Sequence, residues 1–192
     1  MRKLFLVGFL LGFCGAGLVQ SLWSLCDKKC AEEPVYTGRY SVSETEAILL
    51  SDGEGVDYRG FVRGISDLAG ADSNVCLAIF EIENPKFDPL CVHLNDNGTA
   101  DLGLFQLNSK YLEHFKDKYW DFPFEFNPMN AFHNAYVAVR HIGELYRLLN
   151  DWDGVVMAYN CGYTSVILGS VPQSTTIYLE RVKTVISRLS ED

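Results

Sequence analysis

Basic residues are scarce in this 192-residue chain, which has 16 Lys and Arg against 25 Asp and Glu and a formal net charge of -9. Nucleic acid attracts basic surfaces, so this balance argues against a nucleic-acid partner. Zinc-type spacings are missing as well, because no Cys-x-x-Cys or His-x-x-x-His pair occurs and the four His are scattered. We therefore expect neither a metal nor a cofactor.

Internal repeats and low-complexity tracts are also missing, while 48% of the residues are hydrophobic. A chain of this length and composition can bury one sizeable core. We divide it into a targeting segment (residues 1–25), an N-terminal extension (26–64) and one mainly α domain with a small β-hairpin (65–192).

The N-terminal segment has Arg2 and Lys3 before an apolar run at residues 4–19, a pattern typical of targeting segments. We rank a cleaved signal peptide first, an uncleaved anchor second, and lipidation of Cys14 or Cys26 third. Each alternative places the protein outside the cytoplasm, in the periplasm or cell envelope. Only this segment would then touch a membrane.

In such a compartment thiols are expected to pair. Cys76 and Cys91 are one candidate pair and Cys26 and Cys30 are another, which leaves Cys161 over. The alternative is that these cysteines are small buried apolar residues.

One carboxyl group lies where a helix is expected to end. Asp72 or Ser73 is a suitable N-cap, and Pro85 disfavours helical geometry at Asn84. Glu81 then falls in the last turn, beside the partial negative charge of the helix terminus and among apolar neighbours. Both effects favour a raised pKa, as in the acid of a glycosidase. The alternative is a solvent-facing residue of an amphipathic helix.

Further elements follow from turn and helix signals. Residues 95–98 read Asn-Asp-Asn-Gly, which predicts a hairpin turn and places Asp101 on a small hairpin. Apolar spacing predicts helices at residues 130–149 and 175–189, with another between an Asp151 or Asp153 cap and Gly162. Acidic residues suited to a first turn predict a further helix at residues 43–50.

Three short motifs occur in order: residues 80–85 read Phe-Glu-Ile-Glu-Asn-Pro, residues 103–108 Gly-Leu-Phe-Gln-Leu-Asn, and residues 158–162 Ala-Tyr-Asn-Cys-Gly. As a set they resemble the catalytic domain of bacterial lytic transglycosylases of the soluble, lysozyme-like type, over residues 65 to 185. The family reads Glu-Ser, Gly-Leu-Met-Gln and Ala-Tyr-Asn-Ala-Gly. Here Ile82 stands in place of the Ser, and a later family Glu-Thr is Ser174 followed by Thr175.

The resemblance implies a lysozyme-like helical domain with the hairpin beside a glycan-binding cleft. By position, Glu81 would be the catalytic acid and base. Gln106, Tyr159, Asn160 and Tyr178 would contact substrate, with the Tyr159 hydroxyl on the catalytic Glu. The implied partners are peptidoglycan strands and an apparatus of the secretion, pilus or conjugation type.

The reaction implied is cleavage of the MurNAc-GlcNAc β-1,4 bond with formation of 1,6-anhydro-MurNAc ends, by a single Glu acting first as acid and then as base. Residues 95–109 also resemble animal-type lysozymes, in which an Asp at the position of Asp101 stabilises or attacks the sugar cation. Hydrolysis by Glu81 and Asp101 is therefore one alternative. A non-catalytic glycan-binding component of a wall-spanning machine is another.

Overall fold

A computed structural model describes residues 57–191. Helices dominate this part of the chain, and a small sheet lies between the second and third of them. The helices are α1 (Tyr58–Ala69), α2 (Ser73–Glu83), α3 (Leu112–Tyr119), α4 (Ala131–Leu149), α5 (Trp152–Cys161), α6 (Tyr163–Ile167) and α7 (Gln173–Leu189). The strands are β1 (Val92–Leu94), β2 (Ala100–Leu102) and β3 (Leu107–Asn108), followed by a 3-10 turn at Ser109–Tyr111.

The core forms around α4, which packs against α1 and α5, while α2 packs against both α1 and α7. The largest fully buried side chains come from several of these elements and from the loop after β2: Phe80, Phe105, Phe132, Leu77, Ile79, Leu104 and Ile142. Every residue of α2 from Val75 to Phe80 is buried. This helix is therefore held rigidly, and its last turn has a fixed position.

The sheet is antiparallel with the order β1-β2-β3. β1 pairs with β2 across the predicted Asn-Asp-Asn-Gly turn, with His93 opposite Asp101. β3 then pairs with β2 and brings Asn108 opposite Asp101. The predicted hairpin is confirmed, and the third strand adds a partner for Asp101 that the turn signal did not reveal.

Most predicted helix ends agree with the structure. Asp72 caps α2 through hydrogen bonds from the backbone of Asn74 and Val75, and Asp151 caps α5 from the backbone of Gly154. α5 ends before Gly162, where φ is 88°. α1, α3 and α6 were not predicted.

The N-terminal boundary of the domain differs from the expected division. Residues 64 and 65 both lie inside α1, which begins at Tyr58 behind an Asp57 cap. Val62 and Ile65 are both buried, so the whole helix packs as part of the domain. The residues before Asp57, with the targeting segment, the 43–50 helix and the cysteines at 14, 26 and 30, lie outside the described residues. Within residues 57–191, no helix is both long and apolar enough to cross a membrane.

The candidate disulfide between Cys76 and Cys91 is not formed, and the alternative of unpaired cysteines holds for the described residues. Cys76, Cys91 and Cys161 are all free thiols. Cys76 is fully buried in α2 as a small apolar core residue, and this burial raises the pKa of its thiol to about 12. Closeness in sequence suggested the pair, but Cys76 lies in the buried stretch of the helix, whereas Cys91 follows the loop beyond its end.

Candidate active site

The last turn of α2 carries two carboxyl groups, Glu81 and Glu83. Successive residues of an α-helix are about 100° apart around its axis, so these two are separated by about 200°. The two side chains therefore have different surroundings, although both reach α7. The contacts of each carboxyl group decide which of them has the surroundings of a catalytic acid.

Glu81 lies between two arginines. The Arg59 guanidinium of α1 is 2.7 Å from Oε1, and Arg188 of α7 donates a hydrogen bond to Oε2. The Glu81 side chain is only 9% exposed. The apolar, unpaired setting expected for Glu81 is thus wrong. The expectation used sequence neighbours, but in a helix those residues point elsewhere, and the true surroundings come from α1 and α7.

Glu83, the last residue of α2, has the surroundings that were expected for Glu81. Its carboxyl group is partly buried and accepts a 2.6 Å hydrogen bond from the Tyr178 hydroxyl of α7. Burial raises the pKa of Glu83 to about 7. The charge of Asp101 raises it further, while the Tyr178 hydrogen bond and the charge of Arg181 oppose the shift. Glu83 can therefore hold or release a proton near neutral pH.

Asp101 is fixed by two amide groups. Asn95 donates a 3.0 Å hydrogen bond to its Oδ2, and Asn108 a 2.7 Å hydrogen bond to its Oδ1. Each oxygen thus has a donor, and the side chain is held between the hairpin turn and β3. This second carboxyl group is near enough for its charge to act on Glu83.

The loop after β2 is held by one buried side chain. Asn134 of α4 is fully buried, accepts from the backbone of Phe105 at 2.8 Å, and donates to the carbonyls of Leu102 and Pro128. Gly103 lies against this amide with φ of 74°. A Cβ at position 103 would lie 2.5 Å from Asn134 Nδ2 and 2.8 Å from the Pro128 carbonyl. The loop therefore needs glycine for its conformation and for the close approach.

Gln106 ends this loop in a left-handed conformation, with φ of 49°. Its amide donates to the Gly103 carbonyl at 2.8 Å and to the Cys91 carbonyl at 3.4 Å. Asn84, the residue after Glu83, is buried and also donates to the Gly103 carbonyl, at 3.3 Å. The end of α2 and the loop of Gln106 are thus fastened together at one carbonyl group.

Tyr159 and Asn160 lie in the last turn of α5. The Tyr159 hydroxyl donates a 2.7 Å hydrogen bond to the Phe105 carbonyl, so its expected contact with a catalytic Glu is wrong. The tyrosine that donates to Glu83 is Tyr178. Burial raises the pKa of Tyr159 well above its ordinary value, and the charges of Glu83 and Asp101 add to this shift. The exposed Asn160 accepts from Thr175 of α7 at 2.7 Å.

The structure therefore brings together five of the six residues predicted for the site, whereas Glu81 is paired with arginines of α1 and α7. The group consists of Asp101, Gln106, Tyr159, Asn160 and Tyr178. Tyr178 contacts Glu83 directly and the charge of Asp101 acts on it. Gln106 and Tyr159 hold the loop after β2, and Asn160 is bound to α7 through Thr175. One signal in the sequence could have identified Glu83. It is followed by the polar Asn84, as the family Glu is followed by Ser, whereas Glu81 is followed by Ile82.

A cavity of about 580 Å³ is lined by other residues, at 124–128, 130 and 133. None of the residues predicted for the site lines it. Among the described residues, no group of three or more His, Cys, Asp or Glu is arranged to hold a metal ion.

The raised pKa of Glu83 predicts a pH-dependent difference in stability between wild type and Glu83→Gln. Below about pH 4.5 the carboxyl is protonated in both folded and unfolded chains, and its titration contributes nothing. As pH rises from there through about 7, the unfolded chain binds fewer protons, so the free energy of unfolding falls. Gln does not titrate, so Glu83→Gln should gain about 1–3 kcal/mol relative to wild type between pH 4.5 and 8.5.

Urea unfolding of both proteins at several pH values measures this gain, and taking the difference removes the contribution of all other groups. A Glu81→Gln protein serves as the control for loss of a carboxylate from the same helix. Parallel pH profiles for wild type and Glu83→Gln would contradict the raised pKa.

The sequence of this domain matches the model of a known protein family. The family model described as transglycosylase SLT domain matches residues 64–168. That range holds α2, the sheet, the loop of Gln106 and the end of α5. Comparisons with curated proteins and with solved structures gave no match.

Proposed function

We propose that this chain, which belongs to the transglycosylase SLT domain family, cleaves the MurNAc-GlcNAc β-1,4 bond of peptidoglycan and forms 1,6-anhydro-MurNAc ends. The observation that carries the proposal is the Glu83 carboxyl group. It ends α2, accepts a hydrogen bond from Tyr178, and has a pKa raised to about 7. We assign the catalytic acid to Glu83 rather than to Glu81, because Glu81 already binds Arg59 and Arg188.

The reaction needs only this one carboxyl group. In the first step the protonated Glu83 gives its proton to the glycosidic oxygen, and the bond from that oxygen to C1 of MurNAc breaks. In the second step the Glu83 carboxylate removes the proton of the C6 hydroxyl, whose oxygen bonds to C1. Glu83 ends as it began, and no water is consumed. A pKa near the working pH suits both steps.

The neighbouring side chains are assigned supporting roles. The Tyr178 hydroxyl holds Glu83 in one orientation. Tyr159 fixes the Phe105 carbonyl and so the loop of Gln106. We assign glycan contacts to Gln106 and Asn160, because Gln106 ends the loop whose Phe105 carbonyl binds Tyr159, and Asn160 lies in the last turn of α5.

A second candidate function is hydrolysis of the lysozyme type. The observation in its favour is Asp101, a carboxyl group held by Asn95 and Asn108 near Glu83. A retaining hydrolase uses such a second carboxylate as nucleophile and then admits water. Its product has reducing ends.

The product distinguishes the two reactions. We expect digestion of purified sacculi to release muropeptides with 1,6-anhydro ends, each one water lighter than the hydrolysed species. In Asp101→Asn the rate should fall while the product remains the same, because Asp101 then contributes only charge and structure. Mass spectrometry of the digest measures both.

Two results would overturn the proposal. Reducing ends without anhydro species, together with loss of turnover in Asp101→Asn, would establish hydrolysis. Binding of sacculi with no product at all would support the non-catalytic glycan-binding role.

The location and partners are part of the same proposal. The substrate lies outside the cytoplasm, and the N-terminal apolar run at residues 4–19 is suited to export. We also assign the protein to a wall-spanning secretion, pilus or conjugation apparatus, on the resemblance to the small single-domain transglycosylases. Fractionation of cells that produce the full chain, followed by crosslinking, tests both; a cytoplasmic protein would contradict them.

A further inference from the structure

Arg181 of α7 is an exposed cation without a partner in the described part of the chain. It makes no hydrogen bond or ion pair with another residue from 57 to 191. The other two cations of α7 are both paired, Lys183 with Asp153 at 2.6 Å and Arg188 with Glu81. The five N–H donors of the Arg181 guanidinium therefore remain available to a ligand.

The packing of α7 on α2 places Arg181 beside the candidate site. The two helices run antiparallel, because Asn74 contacts Ser190 at one end and Glu83 contacts Tyr178 at the other. Arg181 lies three residues after Tyr178, and residues at this spacing are neighbours on one helix face. The charge of Arg181 acts on both Glu83 and Tyr178, which agrees with this position.

Arg181 does not neutralise Glu83 by a direct ion pair. Glu83 instead accepts its hydrogen bond from the neutral Tyr178 hydroxyl. A guanidinium bound to Glu83 would favour the ionised carboxylate and so remove the proton that the acid must supply. Arg181 is thus near enough to face a bound glycan strand and free enough to bind a group attached to it.

The charge of the whole chain makes this cation informative. At a formal net charge of -9, the protein has no general attraction for an anionic wall polymer. Recognition of an anionic group must then come from a local cation. Arg is suited to this task because its planar fork matches the two oxygens of a carboxylate.

We propose that Arg181 binds a carboxylate of the peptide attached to the glycan strand, so that the substrate class is peptide-bearing glycan rather than bare glycan. The inference rests on the proposed function, because it takes the group around Glu83 as the glycan-binding cleft. The Arg181 side chain lies at the rim of that cleft and binds the peptide that the sugar carries.

Binding tests this separately from cleavage. Full-length Glu83→Gln protein is titrated against two labelled probes: peptidoglycan strands with their peptides, and the same strands after removal of the peptides by an amidase. We expect about 3- to 10-fold tighter binding of the peptide-bearing strands, the range for a partly exposed charged hydrogen bond. The preference should shrink at high salt, since the group is exposed.

Substitutions at Arg181 in the same protein show where the preference arises. Arg181→Gln should bring the ratio of the two dissociation constants close to one, and Arg181→Lys should keep part of it. The matched control is Arg63→Gln, which removes an equally exposed arginine of α1 that also lacks a partner among the described residues.

Three results would overturn the inference: an unchanged ratio in Arg181→Gln, an equal loss of affinity for both probes, or no preference before substitution. An equal loss would mean that Arg181 supports binding of the glycan itself and does not bind the peptide. Absence of binding to either probe would overturn the cleft as well. A lack of product from wild type, with the preference intact, would contradict the catalytic proposal alone.

Discussion

Glu83→Gln should abolish cleavage of peptidoglycan while the protein remains folded and still binds glycan. Gln keeps an acceptor for the Tyr178 hydroxyl but has no proton to give and no carboxylate to receive one. General acid-base catalysis is worth roughly a hundred- to ten-thousand-fold, and here one group serves both steps, so we expect a loss at or above the top of that range. The rate of release of soluble muropeptides from labelled sacculi measures it, with circular dichroism as the check on folding.

Glu81→Gln is the matched control, since it removes a carboxylate from the same helix two residues away. It breaks the ion pairs with Arg59 and Arg188, which fasten α2 to α1 and α7. Because both arginines are about half exposed, we expect a loss of about 1–2 kcal/mol in stability, between the values for surface and buried pairs. Activity below the melting transition should change by less than about tenfold, less than a general acid is worth. Near-normal turnover in a folded Glu83→Gln, with loss in Glu81→Gln, would restore the assignment made from sequence.

The elements that the sequence predicted are those with local causes. The N-cap of α2 at Asp72 and the glycine after α5 depend on a few adjacent residues, and so does the hairpin turn before Asp101. The mainly α fold with a small sheet also follows from such signals combined with the motif resemblance. This is why the architecture was predicted correctly although the helices α1, α3 and α6 and the third strand were missed.

The surroundings of the site could not be predicted, because they depend on residues far apart in the chain. Glu83 receives its hydrogen bond from a residue 95 positions later, and Glu81 is paired with one 107 positions later. Sequence neighbours gave Glu81 an apolar environment only because the direction of each side chain around the helix was ignored. The Asn134 amide, 29 positions from Phe105, carried no motif that would have connected it with the loop.

The same amide predicts a large loss of stability in Gly103→Ala. Position 103 has φ of 74°, which disfavours any side chain, and the new Cβ would lie within 3 Å of Asn134 and of the Pro128 carbonyl. A left-handed residue costs about 1–2 kcal/mol, and overpacking adds about 1–3 kcal/mol, so we expect roughly 3 kcal/mol in total. The free energy of unfolding in urea measures this cost.

Gly98→Ala separates the two contributions. Gly98 also has a positive φ, of 81°, but nothing lies within 4 Å of a Cβ placed there. Gly98→Ala should therefore lose only the roughly 1–2 kcal/mol of stability that the backbone strain costs. Gly103→Ala should also lower the activity of those molecules that still fold, because a shifted loop moves Gln106 and the Phe105 carbonyl to which Tyr159 donates. Equal losses of stability in the two variants would mean that the Asn134 side chain moves aside at little cost. The loop would then not be the rigid support on which the site depends.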